Sequence, residues 1–144
     1  NNNDFDNPKY SELLFKHYYT EHILRMPLEK WPESINRCFK HINPNVYVYM
    51  QGHSEFGITG NATLKNWDVK ARLKTLTVPT LSIGSKYDTM DPEHMKWIAN
   101  EVQNGRFLFC PNGSHLSQYD DPKTYFPGVI KFLKDVDSGE FKKG

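Results

Sequence analysis

Val78-Pro79-Thr80-Leu81-Ser82-Ile83-Gly84, "VPTLSIG", is the stretch on which the fold reading turns. A proline at the entrance, with Leu81 and Ile83 on one face, describes a short buried strand over 78–84. Downstream, Asp91-Pro92 couples a helix-capping side chain to proline at the first helical position. Met95, Ile98, Ala99 and Val102 follow at helical spacing, and "RFLFC" (106–110) reads as a second short strand. Asp121-Pro122 opens a last helix carrying Tyr125, Phe126, Val129, Ile130 and Leu133. Pro127 inside it is expected to kink the helix or delay its start. Strand, helix, strand, helix is the grammar of a parallel α/β sheet. Two parallel strands leave faces and edges uncovered, so residues 67–144 read as the last part of a larger sheet.

The first half has a different grammar. Residues 1–7, "NNNDFDN", are polar and read as a loop. Asn7-Pro8 then gives a cap and a first-turn proline, and Tyr10, Leu13, Leu14, His17 and Tyr18 carry a helical period over about 8–24. After the prolines of "MPLEKWP", residues 33–42 resume that period through Ile35, Cys38, Phe39 and Ile42, and Asn43-Pro44 reads as its end. Residues 45–66 are mixed and punctuated by glycine, with "MQGHSEFG" (50–57) read as strand or loop.

Composition narrows the possibilities. The chain has 144 residues, enough for one domain with a core, and 18 Lys+Arg stand against 17 Asp+Glu. Near-balance gives no electrostatic case for nucleic acid or an anionic membrane as partner. No apolar run is long enough to span a bilayer, and no signal peptide opens the chain. Because the first residue is Asn rather than Met, an upstream portion is expected. Cys38 and Cys110 read as buried thiols of a reducing, cytoplasmic compartment, with a disulfide between them as the other reading. The six histidines show no metal-ligand spacing, so neither a metal nor a cofactor is expected.

Two polar residues stand where open α/β sheets gather their chemistry, just beyond the carboxyl ends of the strands. Asp88 follows the first strand in "SIGSKYD", and His115 follows the second in "PNGSHLS". A strand-helix-strand unit sets these loops side by side, so that Asp88 orients the imidazole while His115 shuttles a proton to and from a nucleophile. The alternative reading is a turn aspartate and a loop histidine. Ser54, in "GHSEFG", imitates a nucleophile elbow but fails its pattern. Phe56 occupies the place of the second glycine, and the required strand before and helix after are lacking.

These residues resemble a known family. Residues 45–121, with "NPNVYVYMQGHSEFGITG", "VPTLSIGSKYD", "DP" and "GSHL", are similar to the C-terminal half of proline iminopeptidases. The first 44 residues, with "DNPKY" and "YYTEHILR", are similar to part of that family's helical cap. The resemblance implies the C-terminal part of an α/β-hydrolase fold, with cap at 1–66 and core at 67–144. It implies a serine aminopeptidase that releases N-terminal proline, in which Asp88 and His115 are triad members. It further implies that Glu55 binds the substrate's free ammonium and that the aromatics Phe56, Tyr47 and Trp67 line the proline pocket or pack in the core. His22 and Arg25 match the cap pattern and read as structural. The serine elbow and the oxyanion loop do not occur in these 144 residues. A missing N-terminal half, a companion chain or a homodimer is therefore the expected partner, besides a peptide with free N-terminal proline. The family's usual second acid after the aspartate is Thr89 here, and Asp91 reads as a helix cap. The competing readings are another α/β-hydrolase, such as an esterase or epoxide hydrolase, and a non-catalytic module ordered by dimerisation or by a companion chain.

Overall fold

The computed structural model of the chain describes residues 4–5 and 7–144. The loop expected at 1–7 therefore lies partly outside the described residues. Asn7 caps the first helix by accepting the Lys9 N–H at 2.9 Å, with Pro8 in the first turn. Helix α1 (Pro8–Leu14) runs through a π-helical turn, Phe15–Tyr19, into α2 (Thr20–His22). The wide turn rotates the face that follows it, so Tyr19 is buried while Tyr18 stands half-exposed on the neighbouring face. Beyond α2 the prolines hold the chain in an irregular path, with one 3₁₀ turn, as far as α3 (Glu33–Lys40).

Leu14, Tyr19, Leu24, Trp31 and Ile35 form the buried core of this half. The Phe15 ring meets Tyr19 and Phe39 edge-on, at centroid distances of 4.7 and 5.4 Å, and Phe39 lies 5.6 Å from Trp31. Leu116 and Tyr119, from the far end of the sequence, pack against the same cluster. The two halves thus share one core. Leu24 is fully buried at its centre, and Leu24→Ala should lower stability by about 2–5 kcal/mol through lost transfer energy and a residual cavity. Urea unfolding followed by circular dichroism measures this; a loss under about 1 kcal/mol would show that the halves are not co-packed there.

The helix read over 33–42 does end ahead of Asn43-Pro44, at Lys40, but the pair also starts a helix that the mixed segment 45–66 did not announce: Asn43 Oδ1 accepts the N–H groups of Asn45 and Val46 at 3.1 and 3.3 Å, and α4 (Pro44–Gln51) follows. Met50 and Gln51 therefore belong to a helix. Gly52 ends it at φ 93°, where an added Cβ would come within 2.8 Å of the Thr59 carbonyl oxygen. Cys38 is exposed, because α3 packs inward through Ile35 and Phe39; Cys110 is buried, and both thiols are free.

The second half follows the expected order. Strand β1 (Thr80–Ser85), helix α5 (Pro92–Glu101) and strand β2 (Gly105–Cys110) form a parallel pair in the register Thr80↔Gly105 to Ser85↔Cys110. Asp91 caps α5 through the Glu93 N–H at 2.9 Å. On its outer side β2 is extended by Gly144, which receives the Phe107 N–H and donates to Gly105. Among the described residues β1 pairs with β2 alone. After a short α6 (Ser117–Asp120), helix α7 (Pro122–Asp137) runs unbroken through Pro127. Its start is not delayed, because the proline strands only the exposed Lys123 carbonyl, which water can satisfy. No described helix is long and apolar enough to cross a membrane.

Candidate active site

The parallel register brings the loops after β1 and β2 together. Lys86 N–H donates to the Cys110 carbonyl and Tyr87 N–H to that of Gly113, which zips the two loops at their bases. Gly113 is required there: a Cβ would stand 2.7 Å from Ser117 Cβ and 3.1 Å from Cys110 Cβ. Above this base His115 Nδ1 donates to Asp88 Oδ1 at 3.0 Å. The same oxygen accepts the Met90 N–H at 3.0 Å and the Thr89 hydroxyl at 3.3 Å. The Asp88 side chain is 9% exposed and that of His115 44% exposed. One member of the pair is sheltered, and the other faces outward with Nε2 uncommitted among the described residues.

Burial pushes the Asp88 carboxyl up, but the bonds from His115, Met90 and Thr89 outweigh it and hold the group below its usual range. The Asp88 hydrogen bond raises the His115 imidazole, against an opposing effect of burial. The sign of the pH dependence follows. The contribution of His115 is fully present below its ordinary value of 6.5 and is lost as pH rises through the raised one. That of Asp88 is present above 3.8 and is lost as pH falls through the depressed one. The stability difference between the wild type and Asp88→Asn should therefore be largest between pH 3.8 and 6.5 and shrink on either side. Urea midpoints across that range measure it, and a difference independent of pH would contradict the coupling.

The N-terminal half reaches this site through residues 22–25. His115 and Leu116 donate their N–H groups to the carbonyls of His22 and Ile23 at 3.0 and 2.9 Å. His22 Nδ1 donates to the Tyr87 carbonyl at 2.8 Å, and the Arg25 guanidinium stacks 3.5 Å over the Tyr87 ring. The structural reading of His22 and Arg25 acquires content: they dock onto the loop that ends in Asp88.

Glu55 lies in the turn after α4, half-buried. Its carboxylate accepts the Tyr47 hydroxyl at 3.0 and 3.2 Å, and its own N–H donates to the Tyr10 hydroxyl at 3.2 Å. Burial, then the Glu55 charge, push the Tyr47 phenol up to about 12, so it stays a donor. Phe56 and Trp67 are not core residues: they are 67% and 66% exposed. Phe56 lies in the same turn, where the Tyr18 ring meets it edge-on at 4.9 Å. Tyr18 in turn lies 5.0 Å from the His22 ring. Tyr18 thus links the Glu55 turn to the Asp88 loop, and its phenol is raised by burial, then by Glu55 and Asp88. Sequence periodicity counted Tyr18 as one more inward-facing helix residue; the π turn that re-aims it left no trace in the pattern. Ser54 is buried, and its hydroxyl accepts the Phe56 N–H at 3.1 Å, as a turn residue does. Grooves of about 460 and 600 Å³ elsewhere are lined by other residues, and Asp88, His115 and Glu55 border neither.

No family model matches the chain. Over 138 residues it is 53% identical to a proline iminopeptidase of Elizabethkingia meningoseptica, a match covering 96% of this chain and 46% of that protein. The chain is homologous to the proline iminopeptidases. Its fold agrees: it superposes on the proline iminopeptidase of Mycobacterium smegmatis with a TM-score of 0.78 and 26% identity, over 94% of this chain and 44% of that one. A crystal structure of VinJ matches equally well, at TM-score 0.78 and 27% identity, over 90% of this chain and 43% of that one. The two parallel strands and their helices therefore correspond to part of an α/β-hydrolase iminopeptidase structure. The chain spans somewhat under half the length of the iminopeptidases it matches.

Proposed function

We propose that the chain is the cap-and-core C-terminal portion of a serine aminopeptidase that releases proline from the amino terminus of peptides. Residues 1–66 supply part of the cap and residues 67–144 the last strands of the core. The observation that carries the reading is the His115 Nδ1 to Asp88 Oδ1 bond of 3.0 Å at the carboxyl ends of two parallel strands, in a chain homologous to proline iminopeptidases.

Each residue takes a role its surroundings suit. Asp88, sheltered and accepting three donors, fixes the imidazole with its proton on Nδ1. Nε2 of His115 then takes the proton of a serine hydroxyl as that oxygen bonds the prolyl carbonyl carbon. It returns the proton to the departing amine as the peptide bond breaks, and repeats the cycle with water to release proline. Asp88 stabilises the imidazolium formed in each half-reaction. Glu55 holds the substrate's terminal ammonium through a charge-assisted hydrogen bond, and Tyr47 keeps its carboxylate aimed. Phe56 offers an apolar face beside it. The serine and the oxyanion donors come from outside these residues, either from an N-terminal segment or from a companion chain.

A chimera tests this. The part of the Elizabethkingia meningoseptica protein outside the 138 matched residues, joined to this chain, should hydrolyse prolyl naphthylamide and spare the N-acylated substrate. Equal turnover of both would favour a general esterase or amidase instead.

A further inference from the structure

The His115 imidazole is nearly half exposed, and among the described residues its ring has one hydrogen-bond partner, Asp88. Its position must therefore be set by the backbone that carries it. That backbone is held at Ser114, which is fully buried and has all its polar groups engaged. Ser114 N–H donates to Asp120 Oδ1 at 3.0 Å, and its carbonyl accepts the Ser117 hydroxyl at 3.0 Å. Its own hydroxyl faces Asp120 Oδ2 in a very short contact and the Ile23 carbonyl at 2.9 Å. A hydroxyl has one proton, and the carboxylate is the stronger of those acceptors. Asp120 Oδ2 also accepts the Arg25 N–H at 3.0 Å. A single carboxylate thus gathers three donors, two from the residue before His115 and one from the segment whose carbonyls receive the His115 and Leu116 N–H groups.

We propose that Asp120 is a positioning residue for His115: by clamping Ser114 to residues 23–25 it fixes the point from which the imidazole reaches Asp88. The inference rests on the triad reading for its catalytic meaning, but its geometry stands apart from that reading. Ser117, from the same short helix, completes the grip from the other side of the Ser114 peptide. An asparagine at 120 has the right shape but offers one acceptor oxygen to three donors and sets its own amide hydrogens against the rest, so the clamp opens.

The test reads His115 directly. In the 144-residue chain, the His115 imidazole is titrated by proton–nitrogen NMR in the wild type, Asp120→Asn, Asp88→Asn and the double variant. Asp120→Asn should bring the titration of folded molecules most of the way to that of Asp88→Asn, and the double variant should go no further. A merely structural Asp120 would lower the urea midpoint and leave the titration of His115 unmoved, which would overturn the proposal. If Asp120→Asn does not fold, Ser114→Ala removes one of the three contacts and should shift the titration in the same direction by a smaller amount; no shift there also overturns it. In the chimera, Asp120→Asn should lower kcat about 10²-fold with KM little changed, and Asp120→Glu should recover part of the loss. If the chimera keeps its activity with His115→Ala, the triad reading fails while the NMR coupling of Asp120 to the pair can still be scored.

Discussion

In a chimera that supplies the nucleophile, His115→Ala should lower kcat by about 10⁴-fold, and Asp88→Asn by a similar factor, with KM changed far less. The reason is geometric. His115 has one nitrogen bonded to a sheltered carboxylate and, among the described residues, a second without a hydrogen-bond partner on a partly exposed ring. Removing the ring removes both the base and the acid of the cycle. Changing Asp88 to asparagine leaves the shape but offers an amide donor where an acceptor is needed, which favours the wrong tautomer. The two losses should not add, because the residues act as one unit. The remaining activity should also lose its dependence on imidazole ionisation, whereas the unaltered chimera should gain activity as pH rises through the elevated His115 value. A loss below tenfold for His115→Ala would remove this histidine from the chemistry.

Glu55→Gln should act on recognition rather than on proton transfer. A half-buried carboxylate that faces an ammonium contributes about 3–4 kcal/mol, so kcat/KM for free-amine substrates should fall about 10²–10³-fold. The preference for prolyl over N-acylprolyl naphthylamide should collapse with it, because glutamine makes no charge-assisted bond to the free ammonium and leaves no unpaired carboxylate against the neutral substrate. Tyr47 bonds both carboxylate oxygens, at 3.0 and 3.2 Å, and Tyr47→Phe should produce a weaker change in the same direction. Kinetics on the two substrates separate the roles: an unchanged selectivity ratio in Glu55→Gln would assign Glu55 to the fold alone.

The second half of the molecule was largely legible because its signals are local and consistent. "VPTLSIG" and "RFLFC" are short apolar runs, and the Asp-Pro pairs mark helix starts where the structure has them. The crossover between parallel strands then obliges the Asp88 and His115 loops to be neighbours. In the first half the same Asn-Pro signal was read as a helix start at 7–8 and as a stop at 43–44, although the capping chemistry is the same at both. Other features were not readable from pattern. The π turn at Phe15–Tyr19 re-aims Tyr18 toward Phe56 and His22, and no periodicity predicts a one-residue wider turn. The exposure of Phe56 and Trp67 was missed because aromatic character alone points to a core. Asp120 was invisible for another reason: its partners, Ser114 and Arg25, are assembled only when residues 22–25 lie against the loop after β2.

The reading of "MQGHSEFG" shows how context decides between identical-looking groups. Ser54 sits after Gly-His as a nucleophile would, yet its hydroxyl is buried in a turn and accepts the Phe56 N–H. Its neighbour Glu55 carries the accessible charge of the segment, supported by two tyrosines from different helices.

The role of His115 as the base is tested most directly by prolyl naphthylamide hydrolysis by the chimera of this chain with the remainder of the Elizabethkingia meningoseptica protein, beside the 144-residue chain alone. Turnover by the chimera should disappear with His115→Ala and persist with Ser54→Ala, and the chain alone should show none. Turnover by the isolated chain that depends on Ser54, or chimera activity indifferent to His115, would contradict it.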